Sequence, residues 1–322
     1  MKRLLAILVA GVIAGTALPA AAQDAVSLRL NWYLGGLHVP FYYGNDQGFY
    51  KEEGIDLTIN EGRGSANTTQ VVAAGSDTFG LADSSSLITL ASKGAEIKSV
   101  MSVLNSTGFS VVSLADTGIR APKDLEGKSL AVSPGDPLRE LFEAVAAAND
   151  VDLSTISFVQ VDPAAKVVSV LEGQADALLG GADDQYFLIK YQGREPHALR
   201  FADHGANIVG MTILTQTDLI QSNPDLVGRF VRASVRSWEA AKENPEAAVD
   251  AALKVKSDLN RQSMLDQLLV DIELLSSPNS KDRIGWGAEA DWTRTIELLK
   301  TYRGLETDAD WTAFHTNEFI PE

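Results

Sequence analysis

The stretch N-W-Y-L-G-G-L-H-V-P-F-Y-Y-G-N-D-Q-G-F-Y-K-E-E-G-I-D-L, residues 31–57, concentrates aromatic side chains in one short part of the chain. It contains one Trp, four Tyr, two Phe and one His, although aromatic residues make up only 7% of the sequence. From His38 to Glu53 its apolar residues have helical spacing, and Gly54 is a typical helix C-cap. Residues 26–30 before it and 55–59 alternate like strands. The stretch therefore predicts a β-α-β unit with an aromatic turn after its first strand.

The same alternation of strands and helices continues beyond this unit. Helices are predicted over residues 65–74 and 84–92, and strands over residues 79–82 and 97–103. Each helix is long enough for a right-handed crossover between parallel strands. We therefore predict an α/β fold with a mostly parallel sheet between helices.

A second α/β unit begins near Ile119, after which the chain returns to the first unit. Its strands are predicted over residues 129–132, 157–161 and 177–179, and its helices over residues 138–148 and 164–172. A strand over residues 208–214 returns to the first unit, and the chain beyond Pro224 is nearly all helical. Two crossings, near residues 115–120 and 207–212, suit a hinge around a ligand cleft. The predicted bounds are residues 23–117 plus 211–322 for lobe 1 and 118–210 for the inserted lobe 2.

The first 22 residues have the pattern of an export signal. A short basic start precedes an apolar run over residues 4–18, and Ala20-Ala21-Ala22 matches the pattern that a signal peptidase cuts. The run is short for a membrane span. We predict cleavage before Gln23 and a periplasmic protein. The sequence has no Cys, which excludes disulfides, thiolate nucleophiles and a lipid-carrying cysteine.

Charge and motif content argue against several classes of protein. The net charge of −16 disfavours nucleic acid or an anionic membrane surface as a partner. The sequence contains neither H-E-x-x-H nor G-x-S-x-G, and Gly127-Lys128-Ser129 lacks the upstream Gly of a P-loop. The four His residues have no metal-ligand spacing between them. We predict no catalytic residue, no cofactor and no metal site.

A series of motifs is similar to those of periplasmic substrate-binding proteins of ABC importers. The series consists of N-W-Y…H-V-P-F-Y-Y-G…G-F-Y-K-E-E-G-I-D-L in residues 31–57, G-S-D-T-F-G-L-A-D in residues 75–83, I-R-A-P-K-D-L-E-G-K in residues 119–128 and N-P-D-L-V in residues 223–227. The branch that it resembles includes binders of nitrate, taurine, alkanesulfonates and thiamine pyrimidine precursors. The resemblance implies a type II binding-protein fold and delivery of a ligand to an inner-membrane permease and its ATPase.

The same resemblance also raises an enzyme as the alternative. Family relatives in pyrimidine biosynthesis consume their own active-site residues, which requires a reactive His and usually metal-binding Cys. Because this chain has no Cys, the prediction is a binding protein and not an enzyme. A role as the partner of a chemosensory receptor is equally compatible with the sequence.

Ligands of open parallel sheets lie beyond the carboxyl ends of the strands, where loops enter helices. Applied to the predicted strands, this rule selects polar and aromatic residues in the loops that follow them, together with side chains near these loops. The predicted ligand-binding residues are Asn31, Trp32, Tyr33, His38, Tyr42, Arg63, Ser65, Asp83, Ser84, Asn105, Ser133, Asp136, Asp183 and Asp184.

The roles of two of these residues stay open at this point. Trp32 either stacks on a ligand or closes the top of the lobe 1 core. His38 either contacts the ligand or is a hydrogen-bonded structural group. Aromatic residues beside several carboxylates favour a flat, nitrogen-rich ligand, because a carboxylate accepts strong hydrogen bonds from ring amines. We predict a ligand like a thiamine pyrimidine precursor, bound by a monomer; helix N-termini and Arg63 leave a sulfonate or nitrate open.

Overall fold

The computed structural model describes residues 23–134, 136–280 and 283–322. The predicted export signal, residues 1–22, lies outside the described residues. Within them the chain forms two lobes, and each lobe is built around a five-stranded sheet. No helix within these ranges is both long and apolar enough to cross a membrane.

The first sheet is mixed. Its spatial order is β2 (Ile55–Asn60), β1 (Asp24–Arg29), β3 (Phe79–Asp83), β10 (Met211–Gln216) and β4 (Ile97–Ser102). β1 pairs in parallel with β2 and β3, whereas β10 pairs antiparallel with β3 and β4. The four strands of the first segment run in the same direction, as predicted, but the strand that returns from the second lobe enters antiparallel between β3 and β4 and makes the sheet mixed.

The second sheet repeats this arrangement. Its spatial order is β7 (Ser157–Gln160), β6 (Ser129–Val132), β8 (Ala177–Gly181), β5 (Phe109–Leu114) and β9 (Pro196–Arg200). β6 pairs in parallel with β7 and β8, and β5 pairs antiparallel with β8 and β9. In each lobe, therefore, the strand that runs antiparallel to its neighbours is the one that arrives from the other lobe, and it is fourth in the sheet order.

The position of β5 moves the first crossing relative to its predicted place. Because β5 belongs to the second sheet, the chain crosses between the lobes at residues 103–108, not near residues 115–120. Residues 109–117, assigned to lobe 1 from the sequence, thus begin lobe 2. The second crossing, residues 201–210, overlaps the predicted one. The crossings run side by side, with the Gly210 N–H donating to Leu104 O at 2.9 Å.

Helices connect and cover the strands. The helices of the first segment are α1 (Val39–Asp46), α2 (Phe49–Glu52), α3 (Ser65–Ala73) and α4 (Ser84–Ser92). Those of the second lobe are α5 (Pro137–Ala148), α6 (Lys166–Leu171) and α7 (Gln185–Lys190). Those of the return segment are α8 (Thr217–Ser222), α9 (Pro224–Glu243), α10 (Pro245–Val255), α11 (Arg261–Leu274) and α12 (Glu289–Arg303).

Several aromatic side chains of residues 31–57 belong to the core of the first lobe. Phe41 is fully buried and meets Trp238 of α9 edge-on, with 6.2 Å between ring centroids. Tyr50 is also fully buried, and its hydroxyl is 3.1 Å from Ser234 Oγ on the same helix. Burying one such side chain stabilises the fold by about 1.5–3 kcal/mol. These aromatic side chains therefore anchor α1 and α2 to α9, and with them the turn that precedes α1.

Candidate functional site

A cavity of about 380 Å³ lies between the two lobes, a volume in the range of small-molecule sites. Loops at the carboxyl ends of β1, β2, β3, β6, β7 and β8 border it, which is the edge that the strand rule selects. The lining residues that the sequence predicted are Asn31, Trp32, Tyr33, His38, Arg63, Ser65, Asp83, Ser133, Asp136, Asp183 and Asp184.

The turn after β1 is locked to the loop after β2. The Gly64 N–H donates to Asn31 O at 2.7 Å, and the Gly62 N–H donates to Trp32 O at 3.1 Å. A Cβ atom on Gly62 would lie 1.9 Å from Leu30 O, so only glycine allows the two loops to approach this closely. These contacts fix the backbone from which Asn31 and Trp32 project.

Trp32 and Tyr33 form an aromatic wall of the cavity. Their rings meet edge-on with 5.5 Å between centroids and 64° between planes, and both side chains are partly exposed. Neither belongs to the apolar core clusters, unlike Phe41, Tyr43 and Tyr50. The aromatic residues of the opening stretch thus divide mainly between the core and the cavity wall, whereas Phe49 packs against the guanidinium group of Arg236.

His38 borders the cavity but uses both ring nitrogens inside the protein. The Gly35 N–H donates to Nδ1 at 3.0 Å, and Nε2 is 2.8 Å from Asn31 Oδ1. Burial lowers the pKa of His38 to about 3, although nearby Glu61 acts in the opposite direction. The imidazole is therefore neutral, with its proton on Nε2 donating to Asn31.

Two further predicted residues of the first lobe form hydrogen bonds within the protein. The Asp83 carboxylate caps α4 by accepting from Ser86 N at 2.8 Å and from Ser86 Oγ at 2.7 Å. Ser65 Oγ accepts from the Asp83 N–H at 3.0 Å. Arg63, in contrast, is exposed at the rim of the cavity. The polar atoms of Ser65 and Asp83 thus hold the cavity wall in place.

The second lobe contributes a buried ion pair and an unpaired hydroxyl. Lys166 Nζ is 2.6 Å from Asp136 Oδ2, and both side chains are more than 90% buried. Asp136 also caps α5 by accepting from Leu138 N at 3.1 Å. Ser133 Oγ is buried and has no hydrogen-bond partner within the described ranges. Because a buried hydroxyl without a partner is costly, Ser133 is a natural contact for a polar ligand atom.

Three carboxyl groups meet on the other side of the cavity. Asp183 and Asp184 follow β8, and the carboxyl of Asp271 on α11 is close to that of Asp183. Both oxygens of Asp271 are buried and have no hydrogen-bond partner within the described ranges. Burial, together with Asp183 and Asp184, raises the pKa of Asp271 well above its ordinary value. Burial and the charge of Asp183 raise the pKa of Asp184 to about 7, although Lys166 opposes the shift. Asp183 and Asp271 can share a hydrogen bond only if one of them carries a proton.

Three predicted residues lie outside the cavity lining. Ser84 donates to Val209 O at 2.5 Å and is fully buried at the crossing between lobes. Asn105 donates to Leu275 O at 2.9 Å. Tyr42 packs against the core of the first lobe, and burial raises its pKa to about 12, as does the charge of Glu61. The spacing that placed Tyr42 on the His38 face of one helix fails because α1 begins only after His38.

Five polar residues of the cavity escaped the sequence-based prediction: Asn67, Gln70, Lys166, Gln185 and Gln267. Lys166 follows β7, so the rule that selected the other loops would have included it if applied to that strand. Gln267 of α11 accepts from the Gly36 N–H at 2.6 Å across 231 positions of sequence, and no local pattern signals this contact. Apolar lining residues such as Phe109 and Met211 cannot be distinguished from core residues in the sequence.

Two α/β lobes with mixed sheets, two crossings and a cavity between them define the type II periplasmic binding-protein fold. The solved structure of the alkanesulfonate-binding protein SsuA from Xanthomonas axonopodis pv. citri bound to MOPS is similar, with a TM-score of 0.72 and 16% identity. The match covers 92% of this chain and 100% of that one. Residues 36–248 match the sequence model of the family described as NMT1/THI5 like. The chain belongs to this family, and the predicted fold class and resemblance are confirmed.

Named relatives of the chain include both binding proteins and an enzyme. The formylaminopyrimidine-binding protein of Halalkalibacterium halodurans is 26% identical, over 88% of this chain and 87% of the relative. The riboflavin-binding protein RibY of Chloroflexus aurantiacus is 26% identical, over 92% of this chain and 86% of the relative. The 4-amino-5-hydroxymethyl-2-methylpyrimidine phosphate synthase of Legionella pneumophila is 22% identical, over 93% of each chain.

Proposed function

We propose that the chain is the periplasmic solute-binding component of an ABC import system. It captures a small planar nitrogen-containing molecule, of the thiamine pyrimidine precursor type, and delivers it to an inner-membrane permease and its ATPase. The observation that carries the proposal is the aromatic pair Trp32 and Tyr33, partly exposed in a cavity that also contains the carboxyl groups of Asp183 and Asp184. A flat ring can stack on the aromatic pair while its amine donates a hydrogen bond to one of the two carboxyl groups.

The charges around the cavity favour a nitrogen-rich ring over a small anion. The buried cation Lys166 is already paired with Asp136, and Arg63 lies at the exposed rim. Ionised Asp183 or Asp184 would repel a sulfonate or nitrate, whereas either would attract an amine or a protonated ring. Alkanesulfonate, taurine and nitrate are therefore the ligands against which the proposal is tested.

The chemical groups of the cavity support binding more than catalysis. His38 is neutral, and both of its ring nitrogens are hydrogen-bonded within the protein. The sequence has no Cys to serve as nucleophile or metal ligand. The name of the Legionella pneumophila relative describes a synthase. An enzyme of that kind would need a reactive His and metal-binding Cys residues, whereas His38 is hydrogen-bonded within the protein and the sequence has no Cys. The proposed role is accordingly that of a receptor.

A thermal-shift screen tests the proposed ligand class. The probes are 4-amino-5-hydroxymethyl-2-methylpyrimidine, riboflavin, taurine and nitrate. A ligand present at about 100 times its dissociation constant adds about 2.7 kcal/mol to the stability of the folded state, so we expect a clear rise in melting temperature with the pyrimidine. A rise only with taurine or nitrate would overturn the planar-ring proposal, and a rise only with riboflavin would replace the pyrimidine by a larger ring.

A further inference from the structure

We propose that Asn31 selects ligands that present a hydrogen-bond acceptor to the first lobe, and that His38 is the positioning residue that sets the direction of its amide group. This inference rests on the proposed function, because it concerns the same cavity and the same class of ligand. It goes further by assigning which edge of the ring faces which lobe.

The tautomer of His38 follows from its backbone contact. An N–H can only donate, so the Gly35 N–H at 3.0 Å from Nδ1 makes that nitrogen the acceptor. The ring proton of the neutral imidazole then resides on Nε2. His38 is only 3% exposed, so water does not compete for this proton, and its low pKa of about 3 keeps a second proton off the ring at neutral pH.

The direction of the Asn31 amide follows from the tautomer. Nε2–H of His38 donates to the atom 2.8 Å away, which must be the carbonyl oxygen Oδ1 of Asn31. The NH₂ group of Asn31 does not take part in this contact, and no group within the described ranges accepts a hydrogen bond from it. Since the Asn31 backbone oxygen is fixed by Gly64 and the residue borders the cavity, its amide offers two free donors to a ligand, while its oxygen is engaged by His38.

An aminopyrimidine matches these two walls in one orientation. Its ring nitrogens are acceptors and suit the Asn31 amide, while its exocyclic amine is a donor and suits the Asp184 carboxyl of the second lobe. A ring that carried a donor toward Asn31 would leave two N–H groups facing each other. A site built to hydrogen-bond a substrate group strongly rejects an analogue that lacks it.

Binding of two probes to variants tests the assignment. The first probe is 4-amino-5-hydroxymethyl-2-methylpyrimidine; the second is 2-aminobenzyl alcohol, which has the amine and the hydroxymethyl group but no ring nitrogen. We expect Asn31→Ala to weaken binding of the pyrimidine about 5- to 100-fold and to leave binding of the benzyl analogue unchanged. Equal losses for both probes would overturn the selective role of Asn31.

Three further variants separate positioning from folding and from charge. His38→Leu should reduce the preference for the pyrimidine over the benzyl analogue, and His38→Gln, which keeps a side-chain donor, should restore part of it. Asn31→Asp removes the donor and adds a charge, whereas Asn67→Asp adds a charge to the same cavity and keeps the Asn31 donor. A larger loss for Asn31→Asp is expected; equal losses would mean that charge alone matters.

A measurement on the ligand-free protein separates this inference from the proposed function. Nitrogen NMR of labelled protein should show His38 neutral and protonated on Nε2 throughout pH 5–8. A His38 that titrates near its ordinary value of about 6.5, or that is protonated on Nδ1, would overturn the positioning role whatever ligand binds. If His38 is as expected and the pyrimidine fails to bind the wild-type protein, the proposed ligand class is overturned, and with it the ring orientation assigned to Asn31.

Discussion

Trp32 and Trp238 are two tryptophans of the first lobe in opposite surroundings. Trp32 is partly exposed at the cavity wall, whereas Trp238 is fully buried beside Phe41. Replacing Trp32 by Ala should weaken ligand binding about tenfold to several-hundredfold, because stacking adds about 0.5–1.5 kcal/mol beyond the lost contact area. Trp32→Phe should fall between. Calorimetric titration with the ligand identified by the thermal screen measures the effect.

The stability of the ligand-free variants decides whether this loss belongs to the cavity. Trp32→Ala should change the free energy of unfolding little, since the side chain lies outside the core. Trp238→Phe is the matched control and should lower stability while leaving affinity unchanged. Trp32→Ala could instead lower the free energy of unfolding by about 3–5 kcal/mol, which is typical of a buried aromatic residue. If the folded fraction then binds ligand normally, Trp32 is a core residue.

Sequence reasoning could locate single site residues only where they directly follow a strand. Asn31 and Asp184 were accessible in this way, because the carboxyl ends of strands meet at one edge of a sheet. It could not predict that Asp83 would cap α4, since a cap and a ligand contact use the same residue type in the same loop. Gln267 and Asp271 lie far away in sequence, and only the packing of α11 brings Gln267 to the cavity and Asp271 close to Asp183.

Helix α11 is the element that connects the ligand-binding loops of both lobes. Its Gln267 accepts from the Gly36 N–H of the first lobe, and a Cβ atom on Gly36 would lie 2.3 Å from Gln267 Cβ. Its Asp266 accepts from Lys190 Nζ of the second lobe at 2.8 Å. Its Asp271 lies against Asp183. One helix of the first lobe therefore supports the turn after β1 and contacts the second lobe at two points, through Asp266 and Asp271.

The carboxyl of Asp271 should make the protein less stable as pH rises. Its pKa is raised in the folded state, so above the unfolded value of about 3.9 the folded protein retains a proton that the unfolded chain releases. Stability then falls with increasing pH until the folded pKa is passed. Asp271→Asn removes this effect, and we expect its gain in unfolding free energy over wild type to be near zero at pH 4 and largest at pH 8. Chemical denaturation across this range measures it.

Asp266, on the same helix, is the control with the opposite sign. Partial burial alone would raise its pKa, but hydrogen bonds from Lys190, Gln262 and Tyr191 lower it overall. Its contribution to stability is present above the unfolded pKa and is lost as pH falls through the folded one. Asp266→Asn should therefore destabilise the protein at pH 7 and have little effect in strong acid. A gain for Asp271→Asn that does not vary with pH would contradict the buried-proton explanation.

Element prediction succeeded where a periodic pattern was visible but missed β5 and β9. Strand β1 alternates between buried and more exposed residues from Val26 to Arg29, and helix α4 was predicted with the bounds that the structure shows. β5 is buried at all six positions because it is central in its sheet, so it has no alternation to detect. Missing it displaced the first crossing and hence the predicted boundary between the lobes.

At the scale of the whole molecule, the two lobes are joined by a narrow hinge and by contacts at the rim. The crossings pair through Leu104 and Gly210, and Gly210 must be glycine because a Cβ atom there would lie 2.5 Å from Ser106 O. Across the rim, Arg303 of α12 pairs with Glu140 of α5. The Arg303 side chain is largely buried, but Glu140 is half exposed, so water can take the place of Arg303 at Glu140 when the cleft opens.

Ligand binding should therefore close the lobes of a monomeric protein. A ligand that contacts Trp32 in one lobe and Asp184 in the other gains both sets of contacts only when the cleft is closed, so it shifts the population toward the closed form. Small-angle X-ray scattering should give the mass of a single chain and a smaller radius of gyration with saturating ligand than without it. Trp32→Ala, at a ligand concentration too low to saturate it, should keep the ligand-free radius. An unchanged radius for the saturated wild-type protein would show that binding occurs without closure.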